Sequence, residues 1–284
     1  MVYTEAIVII ICVLNAPLML ISIFGNSLVL AAILRTHSLR SPSIIFLDGL
    51  AVSDLLVGLA VQPVFIATLF NFGDSLLQSY NMLASSFCGV SLCTMTAISV
   101  DRFLALRYHM RYPNLMTQKR ALHATSFFWF IFLLLSCLYF WGHNIFFFAI
   151  VVCIACFISV STFSYIRIYQ IVRWHQLQIQ AQQQAMQSLN AEHNLNIVQR
   201  KESALNTFIY FICMILCYSP VFITSIIHAI LPMQDNVVAM DFATTVTFMN
   251  SAINPLLYCW RTRELRTAVF KTIRNIMFKP TEEN

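Results

Sequence analysis

Asp54 stands in the middle of the apolar run Ala51-Val52-Ser53-Asp54-Leu55-Leu56. A carboxylate centred in a bilayer costs about 2.5–3.5 kcal/mol on insertion scales, so something must compensate it. Two kinds of chemistry are open to such a group: holding a proton among hydrogen-bonding helices, or binding a cation. Asp101-Arg102-Phe103 closes another apolar run with opposite charges at a helix end, where long side chains also simply snorkel to the surface. Asn254-Pro255-Leu256-Leu257-Tyr258 places a proline inside a further run, and Pro220 in Cys217-Tyr218-Ser219-Pro220 does the same in one more. Each frees a carbonyl and kinks its helix. The 7 histidines are scattered without metal-site spacing, so metalloenzyme chemistry has no support. All 9 cysteines lie within or at the edge of apolar runs, and no extracellular disulfide is expected.

The elements that position these groups are membrane spans. The chain is 59% hydrophobic and 10% charged, with 24 Phe and only 6 Gly; a soluble domain is roughly 25% charged. A crossing needs about 20 apolar residues. The pattern predicts seven spans, near Ala6–Leu34, Ser43–Phe70, Leu76–Tyr108, Thr117–Trp141, Ile145–Arg173, Ser203–Ile230 and Val237–Trp260. Threaded this way, all 17 Lys and Arg fall on one side, which is the cytoplasmic side because basic loops resist translocation. The N-terminus is then outside and the C-terminus inside. Span one lacks the basic leader and cleavage site of a signal peptide and is followed by Arg35 and Arg40, so it reads as an anchor. The net charge of +5 belongs to the inner face, where it meets anionic lipid and protein partners, and nucleic-acid binding is not expected.

Outer segments are short (Asn71–Ser75, Gly142–Asn144, Leu231–Asn236), and the long inner connection Trp174–Arg200 is Gln-rich, reading as a linker or frayed helix extension. After span seven, basic Arg263, Arg266, Lys271 and Arg274 alternate with Leu265, Val269, Phe270, Ile273, Ile276 and Met277 at spacings of three and four. That pattern predicts an amphipathic helix lying on the inner leaflet. The expected fold is an all-α membrane protein, a seven-transmembrane helix bundle plus a short amphipathic eighth helix, divided into 1–260 and 261–284. A receptor, a transporter or channel, and an enzyme all fit seven spans. A transporter wants several charged groups along a path and only Asp54 is deep; no internal repeat marks duplicated halves, and no nucleophile constellation marks an enzyme.

Taken in order, the landmarks Gly25-Asn26, Leu50-Ala51-Val52-Ser53-Asp54 with Pro63, Asp101-Arg102-Phe103, Trp129, Tyr165, Pro220 and Asn254-Pro255-Leu256-Leu257-Tyr258 cover essentially the whole chain. With one landmark per span, the sequence resembles the rhodopsin-like (class A) G-protein-coupled receptors. The resemblance implies a ligand-activated receptor, not an enzyme, that catalyses nucleotide exchange on a heterotrimeric G protein at the plasma membrane; the alternative is a seven-span transporter or channel. It implies a switch made of Asp101, Arg102, Phe103, Tyr165, Asn254, Pro255 and Tyr258, with Arg102 paired to Asp101 at rest. It also implies an allosteric sodium pocket of Asn26, Asp54, Ser91, Asn250, Ser251 and Asn254, whose oxygens suit a hard cation, and no other cofactor. Partners implied are the G protein, an extracellular or membrane-borne ligand (lipid-like, peptide or other small molecule), membrane lipids and, weakly, arrestin.

The departures from the family pattern matter. Leu77 replaces the usual bridging Cys, Phe157 the span-five Pro, Tyr218 the span-six Trp and Met214 the nearby Phe, while Arg200 stands where an acid often locks the switch, with Glu202 close by. Loss of the Cys, the second outer loop and the span-five Pro resembles the melanocortin, cannabinoid, lysophospholipid and adenosine cluster. Melanocortin acids are absent at Val64, Leu77 and Asn81, an amine-gripping Asp at Ala84, the adenosine Asn at Ser225 and a retinal Lys at Phe248. What remains is an apolar outer cavity, with candidate ligand contacts at Gln62, Asn81, Ser85, Cys88, Tyr218, Phe222, His228, Asp241, Thr245 and Phe248.

Overall fold

A computed structural model describes residues 5–36, 41–70, 73–185, 191–230, 237–261 and 263–277, with side chains left undescribed at 175, 179–208, 229–230, 261 and 276–277. Among these residues there are helices and no strands. They are α1 (Glu5–Arg35), α2 (Pro42–Thr68), α3 (Asp74–Arg107), α4 (Gln118–Phe140), α5 (His143–Ala185), α6 (Ala191–Ile230), α7 (Val237–Arg261) and α8 (Arg263–Met277), with a short loop helix, Tyr112–Leu115, between α3 and α4. The expected spans and the observed helices coincide closely. The main difference is that α5 and α6 run further into the Gln-rich stretch, since Gln and Ala are good helix formers and nothing there breaks the pattern before Ala185. Asn71, Leu231–Asn236, Thr262 and the side chains of Arg200 and Glu202 lie outside the described residues.

Helices α1 to α6 are long and apolar enough to cross a membrane. α7 is 25 residues long, about 37 Å at 1.5 Å per residue, but it carries Thr244, Thr245, Thr247, Asn250, Ser251 and Asn254, all nearly or fully buried. Its polar residues face the bundle instead of lipid, which is why composition alone undersells it as a span. α2 and α3 are central, with 61% and 50% of their apolar windows buried against 17% for α1. Outward-facing Phe24, Phe130 and Phe148 are more than half exposed, as a lipid-facing surface requires.

Local irregularities have sequence causes. α2 contains a π-helical turn at Val57–Val61 directly before Pro63; proline cannot donate to the ladder and its ring crowds the preceding turn, and one extra residue per turn relieves that. Between α4 and α5 the chain turns at Gly142, whose φ is +152°, a backbone setting glycine adopts without a Cβ penalty. α8 folds back on the bundle, burying Leu265, Ala268 and Val269 in the cluster that also holds Val29 and Ala32 of α1; Thr272 is buried too, while Phe270 remains 65% exposed. All nine cysteines are free thiols.

Candidate functional site

Three sites lie along the bundle axis. The middle one is built on Asp54, which is fully buried. Its Oδ1 accepts hydrogen bonds from Ser91 Oγ of α3 and Ser251 Oγ of α7, both at 2.9 Å, and its Oδ2 accepts from Asn254 Nδ2 at 2.7 Å. Ser22 of α1 donates to the Asp54 carbonyl at 2.8 Å. Asn26 braces the same corner by donating to the carbonyls of Ser22 (2.9 Å) and Ser251 (3.1 Å). Three helices therefore meet at one carboxylate, and α1 is tied to the same corner through backbone carbonyls. Asn250 is turned away from it, its amide 3.4 Å from Met95 Sδ.

Oxygen atoms in this pocket suit a small hard cation. The amide oxygens of Asn26 and Asn254 are buried with no hydrogen-bond partner, and the Ser91 and Ser251 hydroxyls need only rotate their protons to offer lone pairs. A carboxylate with neutral oxygens around it is a donor set for sodium-like ions. Pro255 fixes the geometry from behind: it packs on Gly25, where an added Cβ would sit 3.0 Å from the proline ring, so α1 and α7 approach closely.

At one end of the bundle lies Asp101, 1% exposed. Ser43 Oγ of α2 donates to its Oδ2 at 2.6 Å, and the Tyr112 hydroxyl of the loop helix donates to Oδ1 at 2.7 Å. The expected resting pair between Asp101 and Arg102 is not formed: two hydroxyls occupy the carboxylate, and Arg102 keeps a buried Nε without a hydrogen-bond partner. Burial and the adjacent carboxylate push the Tyr112 hydroxyl up to about 12, so it remains a donor throughout the neutral range. Phe103 meets Phe163 edge-on at 6.4 Å. Tyr165 accepts a hydrogen bond from Ser99 Oγ at 3.0 Å and lies 4.6 Å from the Phe211 ring. Tyr258, 1% exposed, stacks on Tyr210 at 5.9 Å with the planes 14° apart. These tyrosines border a small space between Leu50, Met95, Ile98 and Met214.

At the opposite end a cavity of about 880 Å³, open mouth included, is walled by α3, α4, α5, α6 and α7. Of the ten candidate ligand contacts, Asn81, Ser85, Cys88, Tyr218 and Phe248 line it. The other five do not. Gln62 is fully buried with neither amide atom partnered, and Thr245 accepts from Asn15 Nδ2 at 2.9 Å and donates to the Asp241 carbonyl. Phe222 packs against the main core, and the His228 ring lies 4.4 Å from Phe147. These residues sit at helix interfaces because a period-based reading assigns a face only to within a residue or two, and the π turn in α2 rotates the residues beyond it. Missed in turn were Phe146, Phe147, Met240, Thr244 and Ser225 in the wall, Ser43 and Tyr112 on Asp101, and Ser99 and Tyr210 against Tyr165 and Tyr258. Ser43 and Tyr112 carried no signal beyond an ordinary hydroxyl.

A helix bundle with its polar groups turned inward and its apolar side chains turned outward defines a multi-pass membrane protein. Residues 25–148 match the family described as 7 transmembrane receptor (rhodopsin family). The match covers 124 of the 284 residues, and this stretch, from the middle of α1 to the start of α5, is what is similar to that family.

Proposed function

We propose that the chain is a ligand-activated receptor of the plasma membrane, N-terminus outside and C-terminus inside, that promotes nucleotide exchange on a heterotrimeric G protein. The observation that carries this reading is the inner end. Asp101 is satisfied by Ser43 and Tyr112, which leaves the Arg102 guanidinium without an ion pair to that carboxylate and available for charge-assisted contact with a partner's carbonyls. Tyr165 and Tyr258 stand on the helices packed around it. In this reading the cavity at the other end takes the ligand, and Asp54, Ser91, Ser251, Asn254 and Asn26 hold a sodium ion that favours the resting arrangement, because a ligand that binds one state better shifts the population toward it. Sodium supplies only charge compensation there. α8 rests its exposed Phe270 in the inner leaflet beside its basic residues. The finer placement in the melanocortin, cannabinoid, lysophospholipid and adenosine cluster rests on Leu77, Phe157 and the short second outer loop Gly142–Asn144.

Binding of a GTP analogue by a reconstituted G protein tests the reading. Wild-type receptor should accelerate it above an empty-membrane control, and Arg102→Ala should fold and reach the membrane but fail to accelerate it. Unchanged exchange by Arg102→Ala would remove the assigned role. Ion flux through receptor-containing vesicles, with no exchange, would favour a transporter or channel.

A further inference from the structure

The cavity opposite Arg102 has a chemical signature that narrows its ligand. Among the described residues no Asp, Glu, Lys, Arg or His lines it, and the wall is mostly Phe, Ile, Leu, Val, Ala and Met. An ionised ligand entering it would lose its hydration with no opposite charge to meet, which is heavily unfavourable. The polar groups present are mostly spoken for within the protein. Ser85 donates to the Met82 carbonyl, Tyr218 to the Cys88 carbonyl, Thr247 to the Cys217 and Ala243 carbonyls, and Tyr80 to Thr244 Oγ1. Ser225 is the exception. It belongs to the same wall, is fully buried, and its hydroxyl has no hydrogen-bond partner. Buried hydroxyls are normally satisfied, so this one is built to meet an acceptor that arrives with the ligand.

We infer that the cavity binds an uncharged, largely hydrocarbon molecule carrying a hydrogen-bond-accepting oxygen, such as a ketosteroid or a neutral acyl amide, with that oxygen anchored at Ser225. The inference rests on the receptor reading only in taking this cavity as the ligand site. The cavity is open at its mouth and its apolar wall offers burial to the hydrocarbon body of such a molecule, as ligand pockets lined mainly by apolar side chains do. Specificity comes from the same features: the apolar wall excludes ions, and Ser225 selects among neutral lipids by where their oxygen falls.

Purified full-length receptor in neutral detergent tests this without any G protein. Four probes are compared by the shift they cause in the thermal unfolding midpoint: progesterone and N-oleoylethanolamine as uncharged members, oleate and sphingosine as anionic and cationic ones. At least one uncharged probe should raise the midpoint in a saturable way, and the charged probes should not. Ser225→Ala should weaken that uncharged probe about two- to tenfold, as expected for one neutral hydrogen bond, while Ser225→Thr restores it. Ala149→Trp, which fills the cavity from α5, should abolish the shift. A midpoint unmoved by both uncharged probes, saturable binding of a charged one that Ala149→Trp blocks, or full affinity in Ser225→Ala each overturns the inference. Because binding is read on the receptor alone, an uncharged probe that binds without promoting nucleotide exchange counts against the receptor reading and leaves the ligand class standing.

Discussion

Replacing Tyr112 by Phe removes one of the two hydroxyls that hold the Asp101 carboxylate, and the geometry sets the size of the effect. The oxygens are 2.7 Å apart and the acceptor residue is 1% exposed, which places the bond among charge-assisted ones worth about 1.5–3 kcal/mol. Tyr112 itself is only half-buried, so water replaces part of the loss and about 1.5 kcal/mol is expected. That corresponds to roughly 3–5 °C on the unfolding midpoint of a chain this long. The measurement is a double-mutant cycle by thermal unfolding of Tyr112→Phe, Asp101→Asn and the double variant. With the carboxylate already gone, Tyr112→Phe should cost less than about 0.5 kcal/mol, leaving a coupling near 1 kcal/mol. The pH dependence has a definite sign. The hydroxyl titrates near 12 in the folded protein against about 10 unfolded, so its contribution is fully present below pH 10 and is lost only as pH rises through about 12. The coupling should be flat between roughly pH 6 and 9. Additive single-variant effects, or a coupling that falls away between those limits, would refute the assigned contact.

Other expectations come from the packing and the free thiols. Raising sodium at constant ionic strength should raise the unfolding midpoint and lower basal exchange of the wild type, and Asp54→Asn should lose both responses; a variant that kept them would show that the ion binds elsewhere. Gly89→Ala would drive a Cβ into the Phe132 ring, so despite the better helix former it should lower stability by about 1–2 kcal/mol, the overpacking cost less the propensity gain; an unchanged midpoint would mean that the ring moves freely. Mild reductant should leave the midpoint unchanged, because all nine cysteines are free thiols, and a loss of several degrees would contradict that.

The number and placement of the helices are written in local composition, because bilayer thickness and the cost of translocating Lys and Arg act on each segment separately. Composition also pointed to Asp54, since a carboxylate in an apolar run demands partners wherever they come from, but Ser91, Ser251 and Asn254 were named only through the family resemblance, and tertiary packing brings all three to it. What each remaining polar group faces was settled only by tertiary packing. Gln62 and Thr245 look like cavity residues by period, yet they lie between helices, whereas Ser225, an inconspicuous serine, ends in the cavity wall without a partner. The same holds for Asp101, whose neighbour in sequence is a cation but whose neighbours in space are two hydroxyls from α2 and the loop helix. Depth in a membrane is encoded along one helix and can be read from it. Which side of that helix meets which partner depends on crossing angles, on a π turn and on the absence of a Cβ at Gly25 or Gly89, and those are fixed only when all the helices pack together.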